Sequence, residues 1–121
     1  MALETGRQWE PEHEVHYFRE LALRAMIDAA TEKLNAENCR HPALELLETH
    51  DRENDGEYLD TLRVYALSSF SSQETCRQLH IHRNTLGYRL GRIEELTGIR
   101  LEDRDTRLHL ALSFLMGEST I

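Results

Sequence analysis

The stretch "LHIHRNTLGYRL", Leu79 to Leu90, decides how this chain is read. It sets two histidines, two arginines, an asparagine, a threonine and a tyrosine between evenly spaced aliphatics. Leu86, Leu90, Ile93 and Thr97 recur at steps of 4, 3 and 4. Such spacing marks the buried stripe of a helix. At about 100° per residue, Asn84, Thr85, Tyr88, Gly91, Arg92 and Glu95 fall on the opposite face and Arg89 on the flank. His82 and Arg83 stand at the helix start, and Gly98 is a natural C-cap. The helix is expected over residues 82–97.

Just before it, "SQETCRQL" predicts a helix of about two turns that Ser71 or Ser72 can cap. Small Cys76 is placed where the two helices cross, with Leu79 and Ile81 plugging the turn. A short helix, a tight turn and a longer helix make a helix-turn-helix unit. Read outward, the rest of the chain is helical too. Pro11 opens a long helix over roughly 12–37, with Val15, Phe18, Ala22, Ala25, Met26 and Ala29 at helical spacing. Pro42 opens a short helix to about His50, followed by the charged loop "DRENDG". Leu59, Leu62, Tyr65 and Ala66 mark a third helix. A last helix runs from Arg104 to about Met116, capped by Asp103 or Asp105, with Leu108, Leu112 and Leu115 on one face. The expected fold is all-α: a helical bundle of five to six helices whose fourth and fifth form the helix-turn-helix. Residues 1–15 are expected to be a flexible lead-in, and residues 16–121 the folded domain.

The net charge of −8 argues against a nucleic-acid partner, but its distribution does not. Residues 1–75 hold 7 basic and 16 acidic side chains, whereas residues 76–100 hold 5 basic and 2 acidic. Local field decides phosphate contact. A helix entering the major groove by its N-terminus would present the outer face described above. Arginine reads guanine and asparagine reads adenine through paired hydrogen bonds. Arg83 and Asn84 are the candidate base readers. His82, Thr85, Tyr88, Arg89 and Arg92 are candidate phosphate or edge contacts. The competing reading is a solvated face of an ordinary bundle. Gly87 and Gly91 can allow close approach of backbone to DNA or to a neighbouring helix, and the residues leave both open.

Residues 61–115, "TLRVYALSSFSSQETCRQLHIHRNTLGYRLGRIEELTGIRLEDRDTRLHLALSFL", resemble the C-terminal helix-turn-helix domain of PucR-type (CdaR-like) bacterial transcriptional regulators. Thr61-Leu62, Tyr65, Leu79, Ile81 through Leu86, Tyr88 through Leu90 and Arg92 through Gly98 carry the likeness. It extends over roughly residues 16–117 and is looser toward Fis-type proteins. The resemblance implies double-stranded DNA binding and transcription regulation, as a homodimer or larger assembly. It also implies a fragment or short member without the sensory region. Cys76 stands where the family usually has alanine, and the front half is unusually acidic.

Other classes find little support. "HEVH" at His13 to His16 has its second histidine at i+3, not the i+4 of a zinc-protease helix. His80 and His82 face different ways across a turn, and Cys39 with His41 lacks a second ligand pair. Hence no metal and no cofactor is expected. No nucleophile, base and orienting group share a recognisable spacing, so no enzyme is expected. Two cysteines make no disulfide framework. Without an apolar signal core or membrane span, a cytoplasmic location is expected. The chief rival is a helix-turn-helix that docks a protein; a small-molecule sensor is a weaker one. The broad apolar set of the first helix fits burial in the bundle or a dimer surface.

Overall fold

The computed structural model describes residues 11–34 and 36–119. Seven helical segments follow one another among them: α1 (Pro11–Lys33), α2 (Ala36–Cys39), α3 (Pro42–Asn54), α4 (Tyr58–Leu67), α5 (Ser72–Leu79), α6 (Arg83–Thr97) and α7 (Arg104–Ser119). No strand occurs among the described residues, so the all-α expectation holds. Residues 1–10 of the expected lead-in lie outside the described residues, and α1 already begins at Pro11.

α4 is the central helix. Thr61, Leu62, Val64, Tyr65 and Ala66 are all buried, and α4 packs on α3, α5, α6 and α7. Leu44 and Leu47 of α3, Ile93 of α6, and Leu110 and Phe114 of α7 close around it with Leu101 to form one core. α1 packs on α7.

Two boundaries differ from expectation. α3 does not stop at His50 but runs to Asn54, through the first four residues of the charged stretch read as a loop. Arg52 lies 3.9 Å from Glu48 one turn back, and Asn54 donates to the His50 carbonyl at 2.9 Å. The helix then ends on Asp55 in the left-handed conformation (φ 52). The Asp51 carboxylate spans the turn, accepting from the Tyr58 and Leu59 amides at 3.2 and 2.8 Å. It satisfies the first turn of α4, whose N-cap Glu57 makes no side-chain cap. A Cβ on Gly56 would lie 2.8 Å from Asp51 Oδ1, which makes glycine the residue that fits there. The first helix stops at Lys33 instead of 37, and α2 is a separate turn tied to α7 by His109 Nε2, which donates to the Cys39 carbonyl at 2.7 Å.

On α7, Leu108 and Leu112 are exposed and Leu115 is half-buried. The core is served instead by Leu110 and Phe114, while Leu112 and Leu115 line grooves against α1. A helix wedged between two neighbours has two apolar faces, and the leucine spacing picked out only the outer one.

Candidate nucleic-acid interface

α5, the turn and α6 form the helix-turn-helix. Ser71 Oγ accepts from the Glu74 amide at 3.2 Å and caps α5. The turn residue His80 is exposed and left-handed (φ 56), and Cys76 O accepts from the backbone N–H groups of both His80 and Ile81. Thr75 is the fully buried residue of α5; Cys76, expected at the crossing, is half-buried, as are Leu79 and Ile81. α5 therefore buries a methyl plus a hydroxyl, and that hydroxyl donates to Ser71 O at 2.7 Å.

His82 caps α6, its Nδ1 accepting from the Asn84 amide at 3.0 Å. In the neutral ring the proton then sits on Nε2, on the far side from the helix. Gly98 closes α6 in the left-handed region (φ 77), its N–H bonding Glu94 O at 2.8 Å. Leu86 and Ile93 are buried, Leu90 is half-buried, and the half-buried Thr97 donates its hydroxyl to Ile93 O at 2.6 Å. The inner stripe is thus the one the sequence predicts.

On the other side, Arg83, Asn84, Thr85 and Tyr88 are exposed, Tyr88 to 66%. A Cβ at Gly87 or Gly91 would meet no protein atom within 4 Å. No neighbouring helix needs these glycines, which removes one of the two readings. The arginines of the unit differ in their engagements. Arg83 has no ion-pair partner among the described residues. Arg77 pairs with Glu74 on α5, and Arg77 with Gln78 holds the Glu74 carboxyl below the usual range. Arg92 lies 3.3 Å from Glu95, which with Tyr58 strengthens its hold on its proton. Arg89 turns inward: its side chain is 21% exposed and donates to Thr61 Oγ1 at 3.0 Å, with Glu57 Oε2 at 3.4 Å. The structure thus brings His82, Arg83, Asn84, Thr85 and Tyr88 onto one exposed surface, leaves Arg92 half-buried beside it with Glu95 and Tyr58 as partners, and anchors Arg89 against α4. Sequence reasoning did not single out Arg77, whose i, i+3 spacing from Glu74 was the available signal, or Thr61 as the anchor for Arg89.

Among the described residues no three His, Cys, Asp or Glu side chains are grouped to hold a metal, and no helix is long and apolar enough to cross a membrane. The side chains of His13 and His16 lie outside the described set.

Residues 58–116 match the family model of the PucR C-terminal helix-turn-helix domain. The chain is 32% identical over 112 residues to the proline-responsive transcriptional activator PutR of Bacillus subtilis, covering 93% of this chain and 26% of that protein. It is 35% identical over 114 residues to the carbohydrate diacid regulator of Escherichia coli, covering 94% and 29%. The purine catabolism regulatory protein of B. subtilis is 40% identical over 65 residues, 54% of this chain and 12% of that one. The chain therefore spans less than a third of the length of these relatives. No solved structure matches it.

Proposed function

Because residues 58–116 are a PucR-type C-terminal helix-turn-helix domain, we propose that α6 enters the major groove of duplex DNA and that the chain binds DNA sequence-specifically to regulate transcription. The observation that carries this reading is the division of α6. Leu86 and Ile93 are sunk in the core, while exposed Arg83, Asn84, Thr85 and Tyr88 lead outward from the helix N-terminus. Arg83 and Asn84 read base edges, and no carboxylate among the described residues pairs with Arg83 to compete for it. Thr85, Tyr88, Arg92 and the outward Nε2 of His82 contact phosphates and fix register. Arg89 belongs to the interface at second hand, holding α6 on α4. Gly91, in the middle of the outward face, leaves room for the backbone to approach DNA. The partners are double-stranded DNA and a second copy of the chain, in the cytoplasm.

Selection of tight binders from random duplex DNA, followed by binding at two salt concentrations, tests the proposal. An enriched palindrome with steep salt dependence is expected, because each phosphate contact releases counterions. Binding to a protein through Tyr88 and its neighbours, the rival reading, would respond weakly to salt and enrich no sequence.

A further inference from the structure

The apolar stripe of α1 faces away from the bundle. Val15, Phe18, Ala22, Ala25 and Ala29 recur at steps of 3, 4, 3 and 4, and all five are exposed, Phe18 to 62%. The face that meets the bundle is a different one, with Ile27 buried and Ala30 and Thr31 half-buried. The periodicity that reads as core-facing therefore marks an exposed surface. Its strict 3-4 spacing is that of a coiled-coil seam, narrower than the stripe of a helix packed in a bundle.

With Val15, Ala22 and Ala29 at a positions and Phe18 and Ala25 at d, the flanks are fixed. The g positions are Glu14, Leu21 and Asp28; the e positions are Arg19, Met26 and Lys33. In a parallel pair of helices each g residue faces the e residue five places further along the other strand. Glu14 then meets Arg19 of the second copy, Asp28 meets its Lys33, and Leu21, which is exposed, meets its Met26, which is 68% exposed. In an antiparallel pair g faces g and e faces e, setting carboxylates against carboxylates and cations against cations. None of these pairs can form within one helix, because residues five apart do not face each other. Glu32, at the next d position, ends the seam.

We propose that two copies of this chain associate through α1 as a short parallel coiled coil. The two-fold axis then runs along α1 and relates the two α6 helices, as two halves of a palindrome require. The association stands on α1 alone; its use in setting half-site spacing rests on the DNA-binding reading.

A charge exchange tests it, read by sedimentation over a range of concentrations without DNA, with helicity followed by circular dichroism. The chain itself is expected to form a concentration-dependent dimer. Arg19→Glu/Lys33→Glu makes both flanks acidic, and Glu14→Lys/Asp28→Lys makes both basic. Each variant is expected to be monomeric alone, and an equal mixture is expected to recover the dimer. Val15→Cys in a Cys39→Ser/Cys76→Ser background is expected to cross-link two copies on mild oxidation, because only a parallel pair brings these positions together. An original chain that stays monomeric throughout, a variant that still dimerises alone, or a dimer that resists this cross-link would overturn the proposal. Failure to select DNA by a chain that passes these tests would count against the DNA reading alone.

Discussion

Arg89 Nη1 donates to Thr61 Oγ1 across 3.0 Å, and the same hydroxyl donates to the Glu57 carbonyl at 2.8 Å. Thr61 is fully buried, so its oxygen has no water to fall back on. The pair pins the middle of α6 to the central helix. Arg89→Ala is expected to lower the unfolding free energy by about 1.5–3 kcal/mol, the range for a hydrogen bond to a charged group; Thr61 keeps its own bond to the Glu57 carbonyl. Urea denaturation measures this. DNA affinity should fall alike for every sequence, since the variant disturbs the pose of α6 and no single base contact. Unchanged stability would return Arg89 to the role of a direct phosphate contact.

Gly91 gives a prediction of opposite sign for folding and binding. Alanine there meets nothing in the protein within 4 Å. Gly91→Ala should therefore stabilise the chain by about 1 kcal/mol, the difference in helix propensity. If the backbone approaches DNA at this point, the added methyl should weaken binding at the same time. A variant that melts higher and binds equally well would remove the glycine from the interface.

Arg83 and Arg92 should separate in kind. Arg83→Ala should relax preference at one base position by about 1–3 kcal/mol if it reads guanine. Arg92→Ala should weaken all sites alike and reduce the salt slope by about one contact's worth, ~0.9. Competition among single-base variants of the selected site measures both. Equal loss at every sequence in the Arg83 variant would assign it to the phosphates.

The helix-turn-helix was legible because its signals are local and agree with one another. The stripe of Leu86, Leu90 and Ile93, the Ser71 cap and the Gly98 terminus each follow from a few neighbouring residues. What the sequence hid is which neighbour each face meets. The stripe from Val15 to Ala29 is real, but periodicity does not say whether it meets the core or another molecule. Leu108 and Leu112 fail in the same way, being outside a core that Leu110 and Phe114 fill. Arg89 sits on the flank as its helical angle requires, yet its long side chain folds back to Thr61, a contact 28 residues away in sequence. The extension of α3 to Asn54 depends on the Asp51 carboxylate reaching the next helix, which composition alone reads as loop.

His41 couples the junction of α2, α3 and α7 to pH. Its Nδ1 accepts from the Ala43 amide at 3.0 Å and caps α3, and its own amide donates to Ser113 Oγ at 3.0 Å. Its ring centre lies 4.8 Å from that of His109. Burial first, and the neighbouring His109 second, lower its pKa from the ordinary 6.5. The unfolded chain thus takes up this proton more readily than the folded one. The contribution of His41 is fully present above pH 6.5 and is lost as pH falls through the lowered value. Protonation also replaces the cap acceptor with a donor that faces the Ala43 N–H. The melting temperature should fall between about pH 7.5 and about pH 5.5, a window in which histidine is the side chain that ordinarily titrates. The lowered carboxyls of Glu74 and Asp103 titrate below their ordinary 4.5 and 3.8, outside that window. His41→Asn keeps an oxygen acceptor at the cap and cannot charge, so its melting temperature should vary less with pH. An equally steep fall in that variant would place the sensitivity in one of the other histidines.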